Sequence, residues 1–262
     1  MIHFSKHIHP QSTEWVTFIH GAGGSSSIWY AQIRDFKKNF NILLIDLRGH
    51  GKSQKAIYDK IKQYTFESIG DEVIEVLNHL KIAKTHFIGI SLGTIIMREI
   101  TERYPERTAS MIMGGAVMKL NISGQFLMRM GVLLKSVLPY LILYRFFAYA
   151  IMPKKRHRGS RNLFINEAKK LCQKEFKRWF SLVAEVNPIL SFFRIKDCGI
   201  PTLYIMGEED HMFLPSITKL VRNHKSSQLL VISNCGHVVN VEQPAIFNSK
   251  SISFIHGLNS KH

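Results

Sequence analysis

Short apolar runs alternate with longer stretches of helical periodicity over most of the chain. The runs predict β-strands at residues 14–20, 41–46, 85–90, 109–114, 202–206 and 228–232. Between residues 64 and 80, apolar positions recur three and four residues apart, which predicts an amphipathic helix with Thr65 as its N-cap. Residues 92–104 predict another helix, which ends at Pro105. This order indicates βαβ units, so we expect an α/β fold with a mostly parallel central sheet flanked by helices.

One long stretch breaks this alternation. Residues 117–195 have helical character and lie between two predicted strands, and compact domains rarely contain a connection of that length. We therefore predict a core formed by residues 1–116 and 196–262, with a helical lid inserted at 117–195. Charge also separates this segment from the rest, because it carries 15 Lys and Arg residues against three acidic ones, or +12 of the total formal charge of +16.

Composition is that of an ordinary globular protein. Of the 262 residues, 45% are hydrophobic and 21% are charged, which excludes a disordered chain and fits one large domain with an insertion. The three cysteines lack the spacing of a disulfide framework or a zinc site. In the apolar segment 126–152, the longest uncharged run is only 136–144, whereas a spanning helix needs about 20 residues. We expect no transmembrane segment and, since the N-terminus lacks a signal-peptide pattern, a cytoplasmic location.

The strongest chemical signal is the sequence GISLG at 89–93, which follows a predicted strand and opens a predicted helix. In that context G-x-S-x-G holds a serine on a strained turn with its hydroxyl exposed, and the helix N-terminus behind it favours developing negative charge. A serine hydroxyl is a weak nucleophile that needs a histidine base and an acid to orient the base. Candidates for both follow later strands, as GEED at 207–210 and GH at 236–237. The glycine-rich turn HGAGG at 20–24 can aim a backbone N–H at a substrate oxygen.

Five motifs make the chain resemble the α/β-hydrolase fold family, in its lid-bearing branch of serine esterases and lipase-like enzymes. They are HGAGGSSSIW at 20–29, DLRGHGKS at 46–53, GISLGT at 89–94, GEEDHM at 207–212 and CGHVVNVEQP at 235–244. The motifs stand in the order of that family, each after the appropriate predicted strand. The resemblance therefore implies the α/β-hydrolase fold over nearly the whole chain outside 117–195. Because only 19 residues precede His20, we expect a short sheet edge at the N-terminus.

The resemblance also implies a catalytic site. Its triad would consist of Ser91 as nucleophile, Asp210 as orienting acid and His237 as general base. The backbone N–H groups of Ala22 and Leu92 would form the oxyanion hole. The family requires no cofactor, and the sequence has no metal-ligand spacing, so we expect neither a cofactor nor a metal.

Some residues in these motifs have a second interpretation. Glu208 and Glu209 could in principle replace Asp210 as the acid, although Asp210 fits the motif better. His20 and His50 lie in family motifs where we expect them to brace loops rather than to take part in catalysis.

We expect hydrolysis of carboxylic esters through an acyl-enzyme on Ser91. The apolar content of 117–195 favours small to medium apolar or lipid-like acyl groups. Fold analogy leaves two alternatives open. One is the same triad used for hydrolysis of a carbon–carbon bond or for menaquinone-type proton abstraction. The other is a hydrolase-fold ligand receptor or signalling partner with slow turnover.

The basic residues of 117–195 suggest which kind of molecule this segment contacts. The run KKRHR at 154–158 follows a strongly apolar stretch, and an apolar face beside a cationic one is typical of an interfacial helix on anionic lipid. Peripheral contact with an anionic inner membrane surface is therefore one hypothesis, and a solvated charged face is the alternative. No aromatic-interleaved basic motif occurs, so we expect a small-molecule ester and not nucleic acid as the ligand. The sequence leaves the oligomeric state open.

Overall fold

A seven-stranded sheet forms the centre of the computed structural model, which describes residues 1–55, 64–119, 122–134, 137–184 and 186–259. The strands are β1 (Phe4–His7), β2 (Trp15–Ile19), β3 (Asn41–Ile45), β4 (Thr85–Ile90), β5 (Thr108–Gly114), β6 (Thr202–Gly207) and β7 (Ser227–Ile232). Their order across the sheet is β1-β3-β2-β4-β5-β6-β7, with β1 antiparallel to β3 and the other neighbouring pairs parallel. The predicted α/β class with a mostly parallel sheet is confirmed.

The helices that flank the sheet come from the chain segments before β5 and after β6. They are α1 (Tyr30–Phe36), α2 (Phe66–His79), α3 (Leu92–Arg103), α9 (Leu214–Asn223), α10 (Val239–Glu242) and α11 (Pro244–Asn259), with short 3₁₀ helices at Ser26–Trp29, Gly51–Lys55 and Pro105–Arg107. The predicted N-cap of α2 is confirmed, because Thr65 Oγ1 accepts the backbone N–H of Ser68 at 3.1 Å.

The apolar runs in the middle of the sheet become strands that are buried on both faces, whereas β7 at the sheet edge is only partly buried. All five residues of β3 are buried, and alternate side chains enter different cores. Leu43 and Ile45 pack in the core that contains α2 and α3, whereas Ile42 and Leu44 pack in the core that contains residues of α1 and α11. A strand covered by helices on both sides loses the alternation of polar and apolar residues, which is why these strands are continuous apolar runs in the sequence.

The sequence analysis did not predict β1 as a strand. This strand is four residues long at the sheet edge, and its burial decreases from partly buried to exposed along its length. An exposed edge needs no apolar run, so the hydrophobic pattern contains no signal for it. The expected short N-terminal edge matches this arrangement.

Residues 117–195, which we call the insertion, lie between β5 and β6. The insertion contains α4 (Ile122–Leu134), α5 (Tyr140–Ile151), α6 (Arg158–Ala168), α7 (Gln173–Ala184) and α8 (Asn187–Ile195), with a 3₁₀ helix at Lys155–His157. Within the described ranges, no helix is long and apolar enough to cross a membrane. The division of the chain at 117 and 195 and the role of the insertion as a lid stay predictions.

A buried ion pair holds the loop after β3 against α2. The Arg48 side chain is fully buried and donates from Nε and Nη2 to the Glu72 carboxylate, with Nη2 2.6 Å from Oε1. The insertion contacts the same loop, since Trp179 of α7 donates its indole N–H to the carbonyl of Arg48 at 3.0 Å. This pair therefore supports both α2 and the docking of α7.

Replacing Glu72 by Ala should destabilise the fold strongly. The change leaves the Arg48 guanidinium buried without its carboxylate, which costs about 3–5 kcal/mol in the free energy of unfolding. Glu75→Ala on the same helix is the matched control, because the side chain of Glu75 is 50% exposed and its loss should change stability by less than about 0.5 kcal/mol. Urea unfolding measures both variants, and equal midpoints would contradict the prediction.

Candidate active site

Ser91 lies on the sharp turn between β4 and α3. Its backbone has φ 53° and ψ −119°, a conformation that costs a non-glycine residue about 1–3 kcal/mol. The surrounding structure holds it there. The Ser91 N–H donates to the carbonyl of Gly114 at 3.0 Å, and a Cβ atom at Gly93 would come within 2.3 Å of the carbonyl oxygen of Ile19. Glycine at position 93 is therefore what allows α3 to pack this closely behind the serine.

Three side chains selected from the sequence meet at the carboxyl edge of the sheet. His237 Nε2 lies 2.9 Å from Ser91 Oγ, and His237 Nδ1 lies 2.7 Å from Asp210 Oδ2. Asp210 and His237 are buried, and they follow β6 and β7. An ionised Asp210 can only accept, so Nδ1 carries the proton and Nε2 is free to accept the Ser91 hydroxyl proton. This is the geometry in which a serine can act as a nucleophile.

The two glutamates that precede Asp210 make other contacts. Glu209 accepts from Lys154 Nζ at 2.9 Å and lies 2.8 Å from His157 Nε2, and Glu208 Oε2 accepts the backbone N–H of Asn234 at 3.3 Å. Of the three acids that the sequence left open, Asp210 is therefore the one placed against the histidine.

Ser91 and His237 line an apolar cavity of about 180 Å³. Its far wall consists of aromatic and aliphatic side chains of the insertion, among them Met128, Phe147, Phe164, Phe176 and Phe180. The described residues that line the cavity include no Lys or Arg. Glu167 is the one carboxylate among them. The interior therefore suits an uncharged, apolar group.

Both residues predicted for the oxyanion hole line the same cavity. Leu92 is the first residue of α3, so its N–H has no acceptor within the helix, and Ala22 belongs to the loop that follows β2. The positive end of the α3 dipole points toward the Ser91 side of the cavity. The structure thus brings both residues to the wall of the cavity that Ser91 also lines.

Two buried histidines brace the loops that follow β2 and β3, as the sequence analysis expected. His50 Nε2 accepts the Gly23 N–H at 3.0 Å, and its Nδ1 donates to the carbonyl of Arg48 at 3.0 Å. His20 Nε2 accepts the Leu47 N–H at 3.0 Å. Burial lowers the pKa of His50 to about 3 and also lowers the pKa of His20, so both rings are neutral and each can accept a backbone N–H.

The sequence analysis missed Tyr144 of α5. Its side chain is buried and lines the cavity, and a Cβ atom at Gly23 would come within 2.0 Å of its hydroxyl oxygen. Gly23 has φ +68°, so the loop both needs glycine for its backbone and leaves room for this hydroxyl. Burial raises the pKa of Tyr144 above its usual range, which keeps the group protonated. In the sequence, Tyr144 lies within a continuous apolar run and carries no distinguishing signal.

A second missed cluster joins the insertion to the loops that carry Asp210 and His237. Glu242 accepts the N–H of Gly236 at 2.7 Å and the hydroxyl of Ser160 at 2.9 Å. The buried His157 lies between Glu242 and Glu209, with its Nε2 3.9 Å and 2.8 Å from their carboxylates. We call His157, Glu209 and Glu242 the clasp. Its members are far apart in the chain, so no sequence motif could have identified it.

A cysteine and possible metal ligands are the other groups near the site that could react. Burial raises the pKa of Cys235 to about 12, so this thiol stays protonated and is no competing nucleophile. In the part of the chain that the structure describes, no group of three or more His, Cys, Asp or Glu side chains could hold a metal ion.

Comparisons with known proteins agree with this architecture. A family model described as the α/β-hydrolase fold matches residues 14–138. The chain is 25% identical to 3-oxoadipate enol-lactonase 2 of Acinetobacter baylyi, over 88% of this chain and 84% of that protein. It is 24% identical to an uncharacterised carboxylesterase of Bacillus subtilis, over 94% of this chain and 80% of that protein.

A solved structure of a hydrolase from Oleispira antarctica superposes with a TM-score of 0.84 at 17% identity, over 97% of this chain and 94% of that one. At that identity the likeness extends to the fold alone. The sequence relatives are hydrolases, and the matched family model covers the strands and turns that carry the serine. The sheet order, the turn at Ser91 and these matches together show that the chain has the α/β-hydrolase fold.

Proposed function

We propose that this protein is a serine hydrolase that cleaves uncharged carboxylic esters with a small to medium apolar acyl group. The observation that carries the proposal is the 2.9 Å contact between Ser91 Oγ and His237 Nε2 on a strained turn that opens into an apolar cavity. The esterase and lactonase names of the sequence relatives support ester chemistry as the reaction class.

The reaction begins at Ser91. Its Oγ attacks the ester carbonyl carbon while His237 Nε2 takes the hydroxyl proton, and Asp210 stabilises the imidazolium that forms. The tetrahedral intermediate collapses by breaking the bond to the alkoxy oxygen, which leaves as the alcohol with the proton from His237. Water then attacks the acyl-enzyme, gives a proton to His237, and releases the acid as Ser91 regains its proton.

The negative charge of both tetrahedral intermediates develops on the former carbonyl oxygen. In this proposal the N–H groups of Ala22 and Leu92 donate to that oxygen, and the α3 dipole adds to the stabilisation. The neutral rings of His20 and His50 hold the Ala22 loop without adding a charge that would compete for the oxyanion. Preorganised donors of this kind are worth about 3–4 kcal/mol each in transition-state stabilisation.

Size and polarity of the cavity support a particular substrate class. An apolar cavity of about 150 Å³ accommodates a benzene ring in other proteins, so the 180 Å³ here fits a short or medium acyl group. No described lining residue offers a positive charge to a substrate carboxylate, and Glu167 would repel one. An acidic substrate, such as the name of the enol-lactonase relative implies for that enzyme, is therefore disfavoured.

The clasp positions the catalytic base in this proposal. Gly236 directly precedes His237 and Glu209 directly precedes Asp210, so the clasp fixes the loops on both sides of the His237–Asp210 contact. Its carboxylates are partly buried and accept N–H and O–H donors from the core and from the insertion. Since catalysis depends on placement to within a fraction of an ångström, the clasp should affect turnover without touching the substrate.

Hydrolysis of p-nitrophenyl esters from acetate to palmitate tests the main proposal. We expect a rate optimum between butyrate and octanoate, because longer chains exceed the cavity. Ser91→Ala should lower kcat by about 10⁴-fold or more. Ser191→Ala on α8 is the matched control and should keep full activity. Absence of Ser91-dependent turnover at every length would reject the esterase function and favour carbon–carbon chemistry or a receptor role.

A comparison of two esters of similar size tests the preference for uncharged substrates. We expect p-nitrophenyl butyrate to have a kcat/KM at least about tenfold above that of mono-p-nitrophenyl succinate, because the carboxylate of the succinate would be buried without a cation. Equal or reversed values would show that the cavity accepts acids and would contradict the assignment of neutral esters.

Replacing Glu242 by Ala tests the clasp. We expect kcat to fall about 10- to 100-fold with KM nearly unchanged, because His237 loses its support while the cavity stays intact. Lys154→Ala removes an exposed partner of Glu209 and serves as the control with little effect. An unchanged kcat for Glu242→Ala in a folded variant would contradict the positioning role.

A further inference from the structure

We propose that α4 and α5 form a docking surface for an anionic lipid bilayer and lie in its plane. The surface consists of exposed apolar side chains on the outward faces of both helices and on the turn between them: Phe126, Val132, Leu133, Val137, Ile142, Phe146 and Tyr149. These are half of the large exposed hydrophobic side chains of the described structure, gathered within 24 residues of sequence. A patch of this kind on a protein surface indicates an interaction site.

Both helices are apolar on their inner faces as well. On α5, Tyr144 and Ala148 are buried while Phe146, on the opposite side, is 58% exposed. On α4, Gly131 is close to Phe180 of α7 and to Phe147 of α5, so α4 and α5 pack against the same part of the insertion. A helix that is hydrophobic all round needs an apolar environment on every side. The protein supplies that environment on the inner side only.

The positive charge around α4 and α5 indicates which partner covers their outer faces. From residue 117 to residue 166 the sequence contains nine Lys and Arg residues and no Asp or Glu. Arg129 and Arg145 are exposed and follow the helical spacing of the apolar patch, and Lys155 and Arg158 are exposed just beyond the end of α5. Anionic lipid headgroups complement such a rim. A second copy of the chain would not, because a two-fold interface would bring the same arginines together without any acid to neutralise them.

The docking surface also lies close to the cavity in which we propose that the reaction takes place. Met128, Tyr144, Phe147 and Ile151 from the inner faces of α4 and α5 line the cavity that contains Ser91. A bilayer on the outer face would therefore lie one helix layer away from the nucleophile. This part of the inference rests on the proposed function and narrows its substrates to esters that partition into lipid; the docking itself does not depend on catalysis.

Co-sedimentation of the full chain with vesicles tests the docking. We expect Ser91→Ala protein to bind phosphatidylcholine vesicles that contain phosphatidylglycerol at low salt, and to bind pure phosphatidylcholine vesicles far less. Raising the salt to physiological strength should weaken the binding. Because this variant cannot turn over substrate in the proposed mechanism, failure of the esterase function would leave the binding result unaffected.

Two double variants separate the apolar and the charged contributions. Phe126→Ser with Phe146→Ser should abolish sedimentation, and Arg129→Gln with Arg145→Gln should weaken binding by about tenfold or more. The controls lie on other elements: Ile8→Ser for exposed apolar area, and Lys219→Gln with Lys250→Gln for charge; both should bind like the parent. Thermal melts of all variants establish that they are folded.

Three results would overturn the proposal. The first is no binding to phosphatidylglycerol vesicles at low salt. The second is binding that both double variants retain in full, which would mean that net charge alone attracts the protein. The third is a concentration-dependent dimer that Phe126→Ser with Phe146→Ser dissociates while vesicles do not compete with it, which would identify a second copy as the occupant.

Discussion

The strained backbone of Ser91 is the constraint on which the rest of the site depends. A serine with positive φ persists only where its neighbours leave no relaxed alternative, and here the close packing of α3 against β2 through Gly93 does so. Parallel strands then place the loops after β6 and β7 at the same edge, where His237 and Asp210 complete the hydrogen-bond chain. The order of the strands is therefore what brings Ser91, Asp210 and His237 together.

Buried polar groups hold the loops around Ser91 in place. Neutral His50 accepts a backbone N–H from the loop after β2, and Arg48, whose side chain pairs with Glu72, accepts a hydrogen bond from Trp179 of the insertion at its carbonyl. On the other side, Glu242 ties Gly236 to the insertion. These two contacts attach the insertion to the core next to residues of the candidate site. Buried contacts of this kind are costly unless every member is paired, which links the placement of the insertion to that of the loops.

The insertion makes the cavity apolar. Its inner aromatic side chains make a small apolar cavity without a cation in the described lining, and its outer face is apolar with a basic rim. Both features come from the same two helices, because α4 and α5 carry apolar side chains on their inner faces and on their outer faces. A cavity for an acyl group on one side and a lipid surface on the other would be a consistent solution for the same two helices.

The sequence by itself predicted six of the seven strands and the turn at Ser91, because burial on both faces and a strained glycine-flanked turn restrict the residues allowed locally. The choice of His237 followed from the resemblance of its motif to the α/β-hydrolase fold family. The sequence left Asp210 in competition with two neighbouring glutamates, and it gave no sign of β1, Tyr144 or the clasp. Only the tertiary structure decided these. Side chains such as His157 and Glu242 acquire their roles from contacts between segments distant in the chain, and an exposed edge strand or a tyrosine within an apolar run has no local pattern that distinguishes it.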